Sequence, residues 1–247
     1  MKPFYHKSFY FILLLGFVVL FANCETSKQD RQNEKGIEML AENQYESAVK
    51  HFSLIIKEDK NYLPAYFNRA IAYSYLNNNR VAIEDLNFVI GKQIYEEEAY
   101  LNRAILYENQ KNYKQAIEDY SKVLTINPRN IKAYHYRGIC KYYLEDYKGA
   151  ITDYNRSIKI GLNSSGVYYN KAVSLDCTGN FNEAIKFYSK AINIDKKLDR
   201  AYYARGIAKL KTGDKNGAVK DIKTSIKMGF KNGSRVLKQI ELMSKSI

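Results

Sequence analysis

The stretch NYKQAIEDY, residues 112 to 120, decides the fold because near-copies of it recur along the chain every 34 residues. They read QYESAVKHF from 44, NNRVAIEDL from 78, DYKGAITDY from 146, NFNEAIKFY from 180 and DKNGAVKDI from 214. The alanines Ala48, Ala82, Ala116, Ala150, Ala184 and Ala218 keep this register without an insertion. Twelve residues before each stands a second small residue: Gly36, Ala70, Ala104, Gly138, Ala172 and Gly206. Two small residues per unit let two helices approach closely.

Between these anchors the apolar residues are spaced by three and four. In the third copy Tyr100, Ala104 and Tyr107 form one stripe, and Ala116, Tyr120, Val123 and Leu124 another, the mark of amphipathic helices. Polar segments separate the stripes: ENQKNY at 108 to 113, NNNR at 77 to 80, TGNF at 178 to 181 and TGDK at 212 to 215. Gly179 and Gly213 suit left-handed helix caps. Each unit is thus predicted to be a helical hairpin. With 3 prolines and 13 glycines in 247 residues, long helices are permitted throughout.

This pattern resembles the tetratricopeptide repeat, a 34-residue helix–turn–helix with aromatic, Gly/Ala, Ala and Pro residues at set places. The first aromatic is Tyr66, Tyr100, Tyr134, Tyr168 and Tyr202; the late large residue is Phe52, Leu86, Tyr120, Tyr154, Tyr188 and Ile222; Pro128 supplies the terminal proline. The resemblance implies an all-α, right-handed solenoid of six hairpins, at 31–64, 65–98, 99–132, 133–166, 167–200 and 201–232. Residues 233–247, with Val236, Leu237, Ile240 and Met243 on one face, read as a solvating cap helix.

The N-terminus is of a different kind. Lys2 and Lys7 precede SFYFILLLGFVVLFA, 15 residues without a charge, which is short for a membrane span and suits a secretory signal. FANC at 21 to 24 resembles a bacterial lipobox, so residues 1–23 are expected to be a lipoprotein signal and Cys24 the lipidated first residue. Residues 24–30 would then be a polar tether. An exported chain, lipid-anchored at the outer membrane or the periplasmic face of the bacterial envelope, is the expectation. Cys140 and Cys177 fall in predicted helices and read as small buried hydrophobes.

One correlation is internal to the repeats. The residue before the small Gly/Ala is Arg69, Arg103, Arg137 and Arg205 in four copies; three residues after the fixed alanine these same copies have Asp85, Asp119, Asp153 and Asp221. The other two copies pair Lys35 with His51 and Lys171 with Phe187. A guanidinium offers a planar fork to a carboxylate and an ammonium does not, so the arginines are predicted to be held in ion pairs rather than offered to a ligand.

The resemblance further implies that the first helix of each hairpin lines a peptide groove, proposing Phe67, Tyr75, Leu101, His135, Tyr142, Tyr143, Tyr169 and Tyr203 as lining residues. The two-carboxylate clamp found in some members of the family is missing, since no first helix supplies its Lys and Asn. Charge suggests an alternative. Residues 186–247 carry 16 basic and 5 acidic residues against 21 and 21 in residues 24–185, so the whole excess of the mature chain lies at the C-terminal end. That end favours an acidic protein, envelope glycan or lipid surface, nucleic acid being disfavoured for an exported chain. No phosphate-cradling loop, metal-ligand cluster or activated nucleophile is legible, and neither a cofactor nor a metal is called for. A non-enzymatic, membrane-tethered scaffold for a protein or peptide partner is the leading expectation.

Overall fold

The computed structural model describes residues 27–245, with side chains described to Ile240 and at Leu242; all described regular structure is α-helical. The predicted signal, Cys24 and the Met243 side chain lie outside the described residues. Two compact units divide at Pro128.

The first unit holds three hairpins: α1 (Lys28–Ala41) with α2 (Tyr45–Glu58), α3 (Leu63–Tyr75) with α4 (Asn79–Ile90), and α5 (Glu96–Asn109) with α6 (Tyr113–Ile126). The second holds three more, α7 (Ile131–Tyr143) with α8 (Tyr147–Ile160), α9 (Ser165–Cys177) with α10 (Phe181–Ile194), and α11 (Asp199–Lys211) with α12 (Lys215–Lys227). The last helix, α13 (Gly233–Lys245), packs on α12. Within each unit the second helix of a hairpin packs on the first helix of the next. First helices also touch their successors: α1 on α3, α3 on α5, α7 on α9 and α9 on α11. The first helices therefore form a continuous inner layer in each unit.

Two boundaries differ from the sequence reading. Residues 28–30, assigned to a tether, are the first turn of α1, because Ser27 caps it: its hydroxyl accepts from the Asp30 amide at 3.0 Å while Asp30 accepts from the Ser27 amide at 3.2 Å. First helices also begin two to three residues ahead of the assigned repeat starts, with Pro64 inside the first turn of α3. The lack of a terminal proline in most copies hid that shift.

The six anchoring alanines are fully buried, and so are the six late large residues Phe52, Leu86, Tyr120, Tyr154, Tyr188 and Ile222. A Cβ added to Gly138 would stand 2.8 Å from the Tyr154 ring, and one added to Gly206 2.9 Å from Ile222, so glycine there is a condition of helix contact. Each hairpin turn places one residue in the left-handed region, again every 34 residues: Asn43, Asn77, Lys111, Glu145, Gly179 and Gly213, at φ between 57° and 89°. Only two are glycine. Asp146 and Asp214, next in line, cap α8 and α12 by accepting from the Gly149 and Gly217 amides at 2.9 Å.

Candidate binding face

Each in-register arginine is engaged by a carboxylate and an aromatic ring, and three of the four by a further hydrogen bond. Arg69, Arg103, Arg137 and Arg205 each donate Nε and Nη2 to the two oxygens of the aspartate sixteen residues on, at 2.7 to 2.9 Å. The tyrosine one turn earlier (Tyr66, Tyr100, Tyr134, Tyr202) lies 5.3 to 5.6 Å from the guanidinium. A third N–H reaches back to the preceding hairpin, from Arg69 to Ser53, Arg103 to Asn87 and Arg205 to Ser189. Arg69, Arg103 and Arg205 thus join neighbouring hairpins, and in all four the Nε–Nη2 fork is occupied by a carboxylate.

The pairs differ in a way that the sequence spacing explains. Four residues after the arginine the first unit has Tyr73 and Tyr107, which flank the guanidinium, while the second has Lys141 and Lys209, which give Asp153 and Asp221 a second cation at 2.8 and 2.9 Å. Burial pushes the Asp85 carboxyl above its usual range despite Arg69. Asp221 is as buried, yet the hydrogen bonds from Arg205 and Lys209 outweigh that burial and hold it below.

In the fifth hairpin the ion pair is replaced rather than lost. The Lys171 ammonium sits 3.5 Å from the centre of the Phe187 ring, with Glu183 at 3.9 Å. Burial lowers the Lys171 pKa. In the first hairpin a ring nitrogen of His51 meets the Gln32 carbonyl at 2.7 Å. The sequence showed that Lys goes with Phe; it did not show that the aromatic face serves as the counter-charge.

The eight proposed lining residues do not form one class. Leu101 and Tyr169 are buried, at 4% and 3% exposure, and belong to the core. Neither lines a groove, contrary to the sequence reading: a first helix faces both its own partner and the flanking hairpins, so residues read as groove-facing can be covered by neighbours. Burial pushes the Tyr169 phenol up to about 12. Phe67 and Tyr75 are half-buried against the first-unit core, Tyr75 stacking on Tyr45 at 4.5 Å. In the second unit Tyr142, Tyr143 and Tyr203 are part-exposed, Tyr142 meeting Tyr143 and Tyr147 at 5.8 and 5.4 Å and Tyr203 meeting Phe230 at 4.6 Å. His135 lies against Tyr154, its Nδ1 buried without a hydrogen bond.

Two cysteines part company. Cys140 is buried as expected; Cys177, at the end of α9, is exposed. Buried polar groups that spacing did not flag include Glu108, whose carboxylate accepts from the Tyr120 hydroxyl at 2.7 Å. Among the described residues no three His, Cys, Asp or Glu side chains come together to hold a metal ion, and no helix is long and apolar enough to cross a membrane.

Hairpins stacked through a first-helix layer, with fixed small residues at each crossing, define an all-α helical repeat solenoid. The family model for the tetratricopeptide repeat matches residues 97–130, and a second model for the same repeat matches 178–213. Comparison by sequence with curated proteins finds no significant match. Among solved structures, YrrB, a repeat protein described as having an unusual peptide-binding site, is 19% identical, covers 79% of this chain and 98% of its own, and superposes with a TM-score of 0.67. The C-terminal part of a repeat-containing protein from Cytophaga hutchinsonii is 15% identical over 79% of this chain and 78% of its own, TM-score 0.70. One from Parabacteroides merdae is 21% identical over 86% and 84%, TM-score 0.58. The chain carries tetratricopeptide repeats at 97–130 and 178–213 within an all-α repeat solenoid, and the match starting at 97 agrees with the α5 boundary.

Proposed function

We propose that this protein is a non-enzymatic scaffold that holds a peptide or partner protein on its first-helix layer, tethered to the bacterial cell envelope by a lipid on Cys24. The observation that supports the binding face is the division of labour among side chains. The arginines are consumed by carboxylates, while Tyr142, Tyr143 and Tyr203 stay part-exposed on first helices of the second unit. Tyrosine supplies large contact area and one polar atom at small entropic cost. Phe67 and Tyr75 offer a smaller apolar face in the first unit. The tether rests on the short uncharged run ending in FANC.

The test uses the full chain, solubilised from cells with mild detergent and recovered with its bound partner. Tyr143→Ala and Tyr203→Ala together should release the partner, and the intact chain should keep it at about 0.5 M salt, where screening shortens to about 4 Å. Cys24→Ser should move the protein out of the membrane fraction with its helical circular dichroism unchanged. A partner retained by the double variant would reject the binding face; continued membrane association of the cysteine variant would reject the anchor.

A further inference from the structure

Part of the second unit's basic charge lies along one edge. α8, α10 and α12 end at the same edge of the stack, since each is the second helix of successive hairpins. Gathered on or beside that edge are Lys159, Lys196, Lys197, Lys227, Lys231 and Arg235, all exposed and none in an ion pair among the described residues. The two carboxylates there bond the adjacent backbone: Asp195 accepts from the Lys197 amide at 2.9 Å, and Asp199 accepts from the Arg200 amide at 2.6 Å. The corresponding edge of the first unit carries both signs, with Lys57, Lys60 and Lys92 beside Glu58, Glu96 and Glu98.

Apolar side chains stand among these cations. Ile194 and Met228, the equivalent residues at the ends of α10 and α12, are 48% and 41% exposed. Of the 16 basic residues in 186–247, 13 are lysine, and one of the three arginines, Arg205, is bound to Asp221. Arginine is the residue that reads a shaped anion through its fork; dispersed lysines are hydrated point charges on flexible stems, which serve a diffuse negative surface. Exposed aliphatic residues in the same row add what an acyl boundary takes up.

We propose that this edge is a docking surface for an anionic phospholipid bilayer, the lysines meeting headgroup phosphates and Ile194 and Met228 entering the interface. The inference is independent of what the first-helix layer binds and of the lipid on Cys24. It predicts a polybasic contact of the kind that gains about fivefold in partition per lysine close to a charged membrane.

The experiment is co-sedimentation of the full chain with vesicles of phosphatidylcholine alone or with about one third phosphatidylglycerol, at about 0.1 M salt. Any binding by the N-terminal segment is common to all arms. Two quadruple variants remove equal charge: Lys196, Lys197, Lys227 and Lys231→Gln at the edge, and Lys148, Lys186, Lys215 and Lys220→Gln elsewhere on the exposed second helices. The intact chain should bind phosphatidylglycerol vesicles far more tightly than phosphatidylcholine ones; the edge variant should lose several hundredfold of that preference and the control variant under tenfold. Ile194→Ser with Met228→Ser should weaken binding further at the same charge. Equal losses in both quadruple variants, or no preference for phosphatidylglycerol, overturn the proposal. Retention on RNA or on an acidic protein without vesicle binding overturns it as well. Unchanged circular dichroism guards each variant against misfolding.

Discussion

Removing either half of the Arg103–Asp119 pair tests whether the arginine ladder is structure or binding surface. The two side chains are 18% and 6% exposed and share two hydrogen bonds at 2.7 Å, with Asn87 and Tyr100 on the other sides of the guanidinium. Breaking a buried pair costs about 3–5 kcal/mol because the surviving charge is stranded; the partial exposure of Arg103 puts this one near the low end, about 3 kcal/mol for either single alanine variant. Once one partner is gone the other contributes little, so the double variant should lose about 4 kcal/mol, a coupling of about 2 kcal/mol. With two compact units a single unfolding midpoint is unsafe, so the free energy is better read locally, by native-state hydrogen exchange of α5 and α6 amides. The loss should reach α3 and α4 through the Asn87 bond and fade beyond the neighbouring hairpin. A coupling under about 0.5 kcal/mol, with Arg103→Ala instead releasing a bound partner, would refute the structural assignment.

The remaining predictions concern a turn and a proton. Lys111 has φ 62°, where a side chain costs about 1–2 kcal/mol and glycine costs about 0.5–1 kcal/mol of chain entropy, so Lys111→Gly should stabilise the third hairpin by about 0.5 kcal/mol by hydrogen exchange; a loss of that size would contradict the strain argument. Burial lowers the His135 pKa from 6.5 to about 4. The unfolded chain takes up that proton first as pH falls, so the stabilisation is whole above pH 6.5 and is lost progressively as pH falls through about 4. Denaturant titrations of wild type and His135→Phe between these pH values should show a shallower dependence in the variant; parallel curves would mean His135 stays solvated.

What the sequence determined by itself was whatever repeats under a steric or pairing rule. Ala48 to Ala218 recur because no larger side chain fits a helix crossing, and that demand is the same in every copy. Arg69 with Asp85, and its three counterparts, could be read from covariation because a guanidinium fork and a carboxylate require each other. The hairpin, its length and its order followed from those two rules with helical periodicity.

Tertiary structure decided everything that depends on neighbours outside the 34-residue unit. Leu101 and Tyr169 occupy groove-like positions in sequence yet are covered, while Tyr142, Tyr143 and Tyr203 are only partly so, because exposure on a first helix depends on side chains from adjacent hairpins. Left-handed turns at Lys111 and Glu145 were invisible, since packing on both sides of a turn can hold a strained residue that local preference would avoid. Lys171 over Phe187 needed the two helices of the fifth hairpin to close on each other, and the row of lysines at one edge arises only when second helices from successive hairpins end side by side.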